Sequence, residues 1–325
     1  MSDHRGTFEH AEFTAPRCDH GYCTDDMARL LVVAAREPAG DAGVAALVRL
    51  GLQFLADAQG SAGGLRNRMN RHGHWEDIPK VEDAWGRAIW GLGTAVAYSE
   101  IESVRHSAAD RLGQAARQRS DWPRAMAFAA LGAAELLSVM PDHEPARSLL
   151  GDAAGAMARP AADAAWPWPE ARLTYANAVL PEAMIAAGAV LGIATLLQQG
   201  LDLLGWLVAH EMVAGHMSVT PAGGAGPGDV RPGFDQQPIE VAALADACAR
   251  AAMVDDSPLW PDGVAAAVAW FLGDNDARVV MWDPQTGGGF DGLEADGVNC
   301  NQGTESTLAL LSTLQHGQRL APLAA

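Results

Sequence analysis

The sequence predicts an all-α protein, an (α/α)6 toroid of helical hairpins. Three observations predict it. Leucine, alanine and glycine dominate, while the β-branched and aromatic residues that favour strands are sparse. Apolar residues recur with a helical period in eleven segments. The links between those segments alternate between short and long, which separates two faces of the molecule.

The first four segments run from about Asp25 to Arg36, Ala42 to Ala58, Asp83 to Glu100 and Val104 to Arg117. The next four are Pro123 to Val139, His143 to Met157, Ala178 to Leu191 and Ala194 to His210. The last third adds Gln236 to Met253, Asp262 to Leu272 and Glu305 to Leu314. Glu37 to Asp41, Ile101 to Ser103, Met140 to Asp142 and Gly192 to Ile193 are brief turns of the kind that joins antiparallel helices. Gln59 to Glu82, Ala158 to Asn177, Glu211 to Asp235 and Gly273 to Thr304 are long, and long loops in a compact domain usually carry function. Six helices follow a long link or the N-terminal segment, and five partners return from them. The sixth return helix is expected to be missing, since only Gln315 to Ala325 remains after the last start, and the N-terminal segment or a partner is then expected to close the ring.

A chain of 325 residues with 49% hydrophobic content can bury one large core, so a single domain over residues 1 to 325 is expected, with residues 1 to 23 as an irregular segment packed at the cleft. Forty acidic against 22 basic residues give a net charge of -18, which repels phosphate backbones and anionic lipid. Neither nucleic acid nor a membrane is an expected partner. No window holds the roughly 18 to 20 uninterrupted apolar residues that would cross a bilayer. Met1 to Arg17 has no apolar signal region, and Cys18, Cys23, Cys248 and Cys300 form no disulfide framework, so a cytoplasmic location is expected. The Cys18 to Cys23 spacing does not match a zinc knuckle either, and no metal or cofactor is expected.

Polar motifs sit where the six leading helices begin. Asp19, His20 and Tyr22 precede Asp25 and Asp26, with Thr24 the expected N-cap; helix-dipole chemistry accounts for one acid there, and two after an Asp-His-Gly turn invite a functional reading. Glu82, Asp83, Trp85 and Arg87 open the third helix, with Asp83 capping and an i, i+4 acid-to-base pair as the bland alternative. Asp121 caps the fifth helix ahead of Pro123, a mostly structural arrangement. Trp166, Trp168, Glu170, Arg172 and Tyr175 lie before a helix whose expected cap is Asn177. Asp235, Gln236, Gln237 and Glu240 repeat the pattern, and a Glu240 facing an apolar interior would be costly without a purpose. Asp291, Asn301, Gln302 and Glu305 bring a dense polar cluster to the last helix. Trp75, Trp85, Trp122, Trp166, Trp168 and Trp282 fall in or beside these mouths, and indole faces among acids and amides suit a sugar.

The strings Asp19 to Asp26, Glu82-Asp83, Gly86 to Ala88, Trp166 to Trp168, Arg172 to Tyr175, Phe234 to Glu240 and Asn301 to Gly303 resemble a bacterial family of the six-hairpin glycosidase type. Members of that family often occur beside or fused to family 4-type glycosyltransferases, so the resemblance implies a glycosyltransferase as a partner. The sequence departs from the family pattern at Met27, Trp85 and Ala176, where Asn, His and Asp are usual.

The reading that follows is a glycoside hydrolase acting on a small oligosaccharide or glycan end. Such chemistry needs one protonated and one ionised carboxyl, about 6.5 to 9.5 Å apart in inverting enzymes, and inversion is the expected course. Asp26 and Asp235 are the first pair, with Asp83, Glu170 and Glu240 as substitutes and Arg87 and Arg172 orienting the substrate. A non-catalytic saccharide-binding partner of a glycosyltransferase is the alternative. A sugar epimerase ranks lower, since it needs a histidine or tyrosine base and His20 is the one well-placed candidate.

Overall fold

The computed structural model describes residues 1–320 except Ala39 and Ala158. Among these residues are eleven α-helices: α1 (Thr24–Ala35), α2 (Ala42–Ala58), α3 (Asp83–Tyr98), α4 (Glu102–Ala115), α5 (Pro123–Val139), α6 (Glu144–Ala156), α7 (Val179–Leu191), α8 (Ala194–Glu211), α9 (Pro238–Ala251), α10 (Leu259–Phe271) and α11 (Thr304–Leu320). The predicted all-α class holds, and every predicted helix is present. Four two-stranded ribbons join them: β1 (Ala11–Glu12) with β2 (Ala15–Pro16), β3 (Tyr22–Cys23) with β4 (Arg68–Met69), β5 (Met212–Val213) with β6 (His216–Met217), and β7 (Gly292–Glu294) with β8 (Gly297–Asn299). Strands of two or three residues are too short to show an alternating pattern in sequence.

The chain divides into two compact units, one of Met1–Ala11, Ala15–Met157 and Ala186–Ala194, the other of Glu12–Thr14, Ala158–Ile185 and Thr195–Ala325. In the first unit, α3 packs between α1 and α5, while α2, α4 and α6 pair with them as a second row. The burial patterns explain the rows. Every residue of α1 is buried except Asp25, so this helix is enclosed on all sides. Helix α6 buries only Ala146, Leu149, Leu150 and Ala153, the single stripe of a helix with one face in water. Backbones in the inner row approach closely. A Cβ on Gly93 would stand 2.0 Å from the Gly132 carbonyl oxygen, and one on Gly132 would stand 2.0 Å from the Ile89 oxygen.

In the second unit, α9 packs on α10 and α11. A polar link ties this group together, as Ser312 Oγ donates to Asp246 Oδ1 at 3.1 Å and His316 Nε2 lies 2.5 Å from the same oxygen. That link explains why α11 continues six residues past the predicted end at Leu314. The polar Gln315 and His316 are buried against α9 instead of ending the helix. No helix follows α11 among the described residues, and Ala321–Ala325 lie outside them.

Several predicted caps are corrected. Thr24 and Asp83 are the first helical residues, Trp122 stands at the cap of α5 in place of Asp121, and Gln237 at that of α9 in place of Asp235. None of these four starts has a side-chain cap bond; at α1 the Thr24 amide donates to the Asn67 carbonyl instead. No helix among the described residues is long and apolar enough to cross a membrane. All four cysteines are free thiols.

Candidate functional site

In the first unit, the β3–β4 ribbon sets the start of α1. The Thr24 amide donates to the Asn67 carbonyl at 2.9 Å, and Thr24 Oγ1 donates to the Arg66 carbonyl at 2.6 Å. This clamp fixes the two acids of the first turn. Asp26 is 2% exposed and accepts from Arg29 Nη1 at 2.8 Å. Asp25 Oδ1 lies 3.7 Å from Arg87 Nη1, and the Arg87 guanidinium covers the Phe128 ring at 4.6 Å. Three inner helices thus contribute an acid, a cation and an aromatic face, and the cation–π contact helps hold a charge that is nearly enclosed. Asp25 Oδ1 and Arg87 Nε are buried without a hydrogen-bond partner among the described residues. Beside them, burial and the carboxylates of Asp26, Asp25 and Glu9 push the Cys23 thiol well above its usual range.

Glu82 and Asp83 line a cleft of about 310 Å³ with Asn67, Asp77, Lys80 and Trp122. Asp19 is exposed and paired with Arg71. The His20 ring meets His10 edge-on at 5.0 Å. Tyr22 is buried with its hydroxyl donating to Asp3 at 2.7 Å, and burial together with Asp3 pushes it up to about 12. Trp85 is 0% exposed and its Nε1 donates to the Ala115 carbonyl, so Trp85 and Tyr22 serve the core and offer no stacking face, contrary to expectation.

The second unit holds the other motifs. Trp168 is likewise buried, stacked on Trp206 at 6.1 Å, which corrects its expected role as a sugar platform. Trp166 is partly open, with Nε1 donating to the Glu170 carbonyl. Arg172 pairs with Asp229 at 3.0 Å on the surface, and Tyr175 is exposed. The purpose of Glu240 is plain: its carboxylate accepts from the Ala176 amide at 2.5 Å and from both the amide and the side chain of Asn177 at 3.2 Å. Asn177 therefore serves that junction as well as the turn at Thr174, whose amide its Oδ1 accepts. Gln236, predicted to touch substrate, is fully buried and ties Asp276 to Trp270. Gln237 is partly exposed at the start of α9.

Asp235 stands differently. It is part-buried, its Oδ1 has no hydrogen-bond partner among the described residues, and burial, then the charges of Glu294 and Asp291, raise it above the usual carboxylate range. It lies against bare backbone, since a Cβ on Gly292 would stand 2.1 Å from that oxygen. Asp291 Oδ1 accepts the Gly303 amide at 2.8 Å. Asn301 Oδ1 accepts the Phe13 amide, the Gln302 amide donates to the Phe13 carbonyl, and the Gln302 side chain joins Thr286 to Asp283. Glu305 lies in the first turn of α11. The structure thus brings Asp235, Asp291, Asn301 and Gln302 to adjoining segments.

Sequence reasoning missed a buried titratable group in the same unit. Glu211 accepts from Thr220 Oγ1 at 2.6 Å and lies 3.4 Å from Arg231 Nη2, yet burial outweighs both and pushes it up to about 7. Burial, then Arg231, pushes His210 down to about 4. The His210 ring stacks on Trp206 at 5.0 Å, and its Nε2 is buried without a partner among the described residues. His216 Nε2 meets Asp276 at 2.8 Å. The adjacent His210-Glu211 pair was visible in sequence, but its burial depends on the fold.

No family model matches the sequence, and no curated protein matches it. Solved structures do match in fold. A sugar epimerase from a ruminal bacterium is 12% identical with a TM-score of 0.73, over 98% of this chain and 93% of its own. A cellobiose 2-epimerase from Bacillus thermoamylovorans is 11% identical with a TM-score of 0.71, over 97% and 93%. An inactive variant of an α-1,6-mannanase from a Salegentibacter species, in complex with α-1,6-mannotetrose, is 12% identical with a TM-score of 0.65, over 98% and 94%. The likeness is one of fold, and the chain is an all-α protein of the (α/α)6 toroid class.

Proposed function

We propose that the chain is a carbohydrate-active protein that hydrolyses a small oligosaccharide or glycan end, with Asp235 as proton donor. The observation that carries this reading is the state of Asp235. A carboxyl that must hold a proton near neutral pH needs burial and neighbouring negative charge, and Asp235 has both. Asp291, on the adjoining segment, is the second carboxyl of the proposal, in the part of base or nucleophile. Glu240 is already engaged by backbone amides, so it stands behind Asp291 as a candidate. The fold likeness to a mannanase and to sugar epimerases supports a sugar substrate.

The test is a panel of manno-, gluco- and galacto-oligosaccharides with product analysis. Asp235→Asn is expected to lower turnover by about 10²- to 10⁴-fold while the melting curve stays as in the parent. An unchanged rate would remove Asp235 from the reaction.

A second reading, epimerisation or isomerisation of a sugar, is favoured by His210. A ring held at about 4 is neutral at ordinary pH and can accept a proton, and its Nε2 has no protein partner among the described residues. Rearranged sugar without bond cleavage in the same panel would select it. Binding without any product would select a saccharide-binding partner of a glycosyltransferase, the association that the motif resemblance implies.

A further inference from the structure

We propose that the cleft of about 310 Å³ in the first unit binds one ring of a neutral oligosaccharide, with the indole of Trp122 as its stacking face. This rests on the reading of the chain as carbohydrate-active. Trp122 is 60% exposed, an unusual position for the side chain with the largest apolar surface. Its backbone is nonetheless held firmly. Ser120 Oγ accepts the Trp122 amide at 3.2 Å and donates to the Val81 carbonyl at 2.7 Å, while Pro123 fixes the first turn of α5. The residue is thus anchored through Ser120 to Val81, next to Glu82 and Asp83 in the chain, and Trp122, Glu82 and Asp83 all line the cleft.

Leu65 and Ala84 add apolar lining, and the remaining residues of the cleft are polar. Asp77 is taken up by the amides of Asn67 and Arg68 and shapes the wall, while Lys80 lies 3.5 Å from Glu82 at the rim. One aromatic face beside several hydrogen-bonding groups suits a ring with an apolar C–H face and hydroxyl edges, and it does not suit an apolar ligand. The volume is at the lower end of small-molecule clefts, about 300 to 1,000 Å³, which fits a terminal ring better than a long chain. Three carboxylates against one ammonium, on a chain of net charge -18, repel an anionic sugar.

The test titrates the full chain, Trp122→Ala and Trp122→Phe with mannotriose, cellotriose and trigalacturonate by calorimetry. The parent is expected to bind at least one neutral trisaccharide, and Trp122→Ala to weaken it by about tenfold or more, with Trp122→Phe recovering most of the loss. Trigalacturonate is expected to bind more weakly than either neutral probe. Equal affinity of parent and Trp122→Ala, equal affinity for the uronate, or no binding of either neutral sugar by the parent would each overturn the site. Circular dichroism melts of the variants confirm the fold, since Trp122 is exposed. The same titration on Asp235→Asn separates the two claims: binding that depends on Trp122 can persist in a chain that cleaves nothing, and cleavage can persist without any role for Trp122.

Discussion

Glu211 and Glu240 are carboxyls of one unit whose surroundings give them different tasks. Glu240 spends its oxygens on the Ala176 and Asn177 amides and so braces the entry to α7. Glu211 has only Thr220 and a longer contact to Arg231, with Glu240 adding repulsion, and it is raised from 4.5 to about 7. The native state therefore favours its protonated form. Below pH 4.5 native and unfolded chains both hold the proton and the stabilisation is complete; between 4.5 and about 7 the unfolded chain releases it first, and stability declines until the contribution is gone. His210 works in the opposite sense. Lowered from 6.5 to about 4, it contributes stability above 6.5 that is lost as pH falls. Over the shared window the two slopes oppose one another. Glu211→Gln removes one of them, so the unfolding free energy of the parent is expected to fall relative to that of the variant as pH rises from 4.5 to about 7. Urea melts across that range measure it, and a difference independent of pH would refute the assignment. None of this was legible in the sequence, where His210 ended a helix and Glu211 began a loop. A motif shows which residues are polar, but burial comes from what packs over them. Asp235 was found as a motif acid for the same reason that its neighbour Glu294 was not: one stands in a distinctive string, the other in a short strand with no pattern of its own.

The helices were legible because each carries its own period. In α2, Ala45, Val48, Leu52 and Leu55 repeat at three and four residues, and this stripe is the one buried. Enclosed helices such as α1 and α5 are apolar over most of their length and bury even Asp26, Arg29, Arg124 and Glu135, which marks an inner row without naming its neighbours. The ends were less legible. Asp83, Asp121 and Asp235 are good capping residues in isolation, yet the cap falls one residue before Asp83, one after Asp121 and two after Asp235, and Arg87, expected beside Asp83, reaches Asp25 on α1. Glycines inside α3 and α5 cost helix propensity. They are the places where two backbones meet, and Gly132→Ala would press a methyl group into the Ile89 carbonyl. The helix propensity gained, about 1 kcal/mol, is smaller than the overpacking cost of about 1 to 3 kcal/mol or more where rigid backbone must move. A net loss of stability is expected in a denaturant melt, with the slope of the transition unchanged. A variant as stable as the parent would mean that α3 and α5 do not approach so closely.

Forty acidic against 22 basic residues leave an excess that no arrangement of ion pairs can cancel. Some pairs are nearly enclosed, such as Asp26 with Arg29 and Glu182 with Arg250, and added salt barely reaches them. Surface pairs such as Arg172 with Asp229 are screened, but each contributes at most about 1 kcal/mol. The remaining acids repel one another across the compact state, and the unfolded chain relieves that repulsion by expanding. Screening should therefore favour the native state on balance. Raising sodium chloride from about 0.05 to about 0.5 M shortens the screening distance from beyond 10 Å to a few ångströms, and the melting temperature at pH 7 is expected to rise. Potassium chloride should act alike, because the effect depends on ionic strength and not on a bound cation. A melting temperature that falls with both salts would show that attractive surface pairs outweigh the excess of acid. A rise with one cation alone would point to a specific ion site in place of general screening.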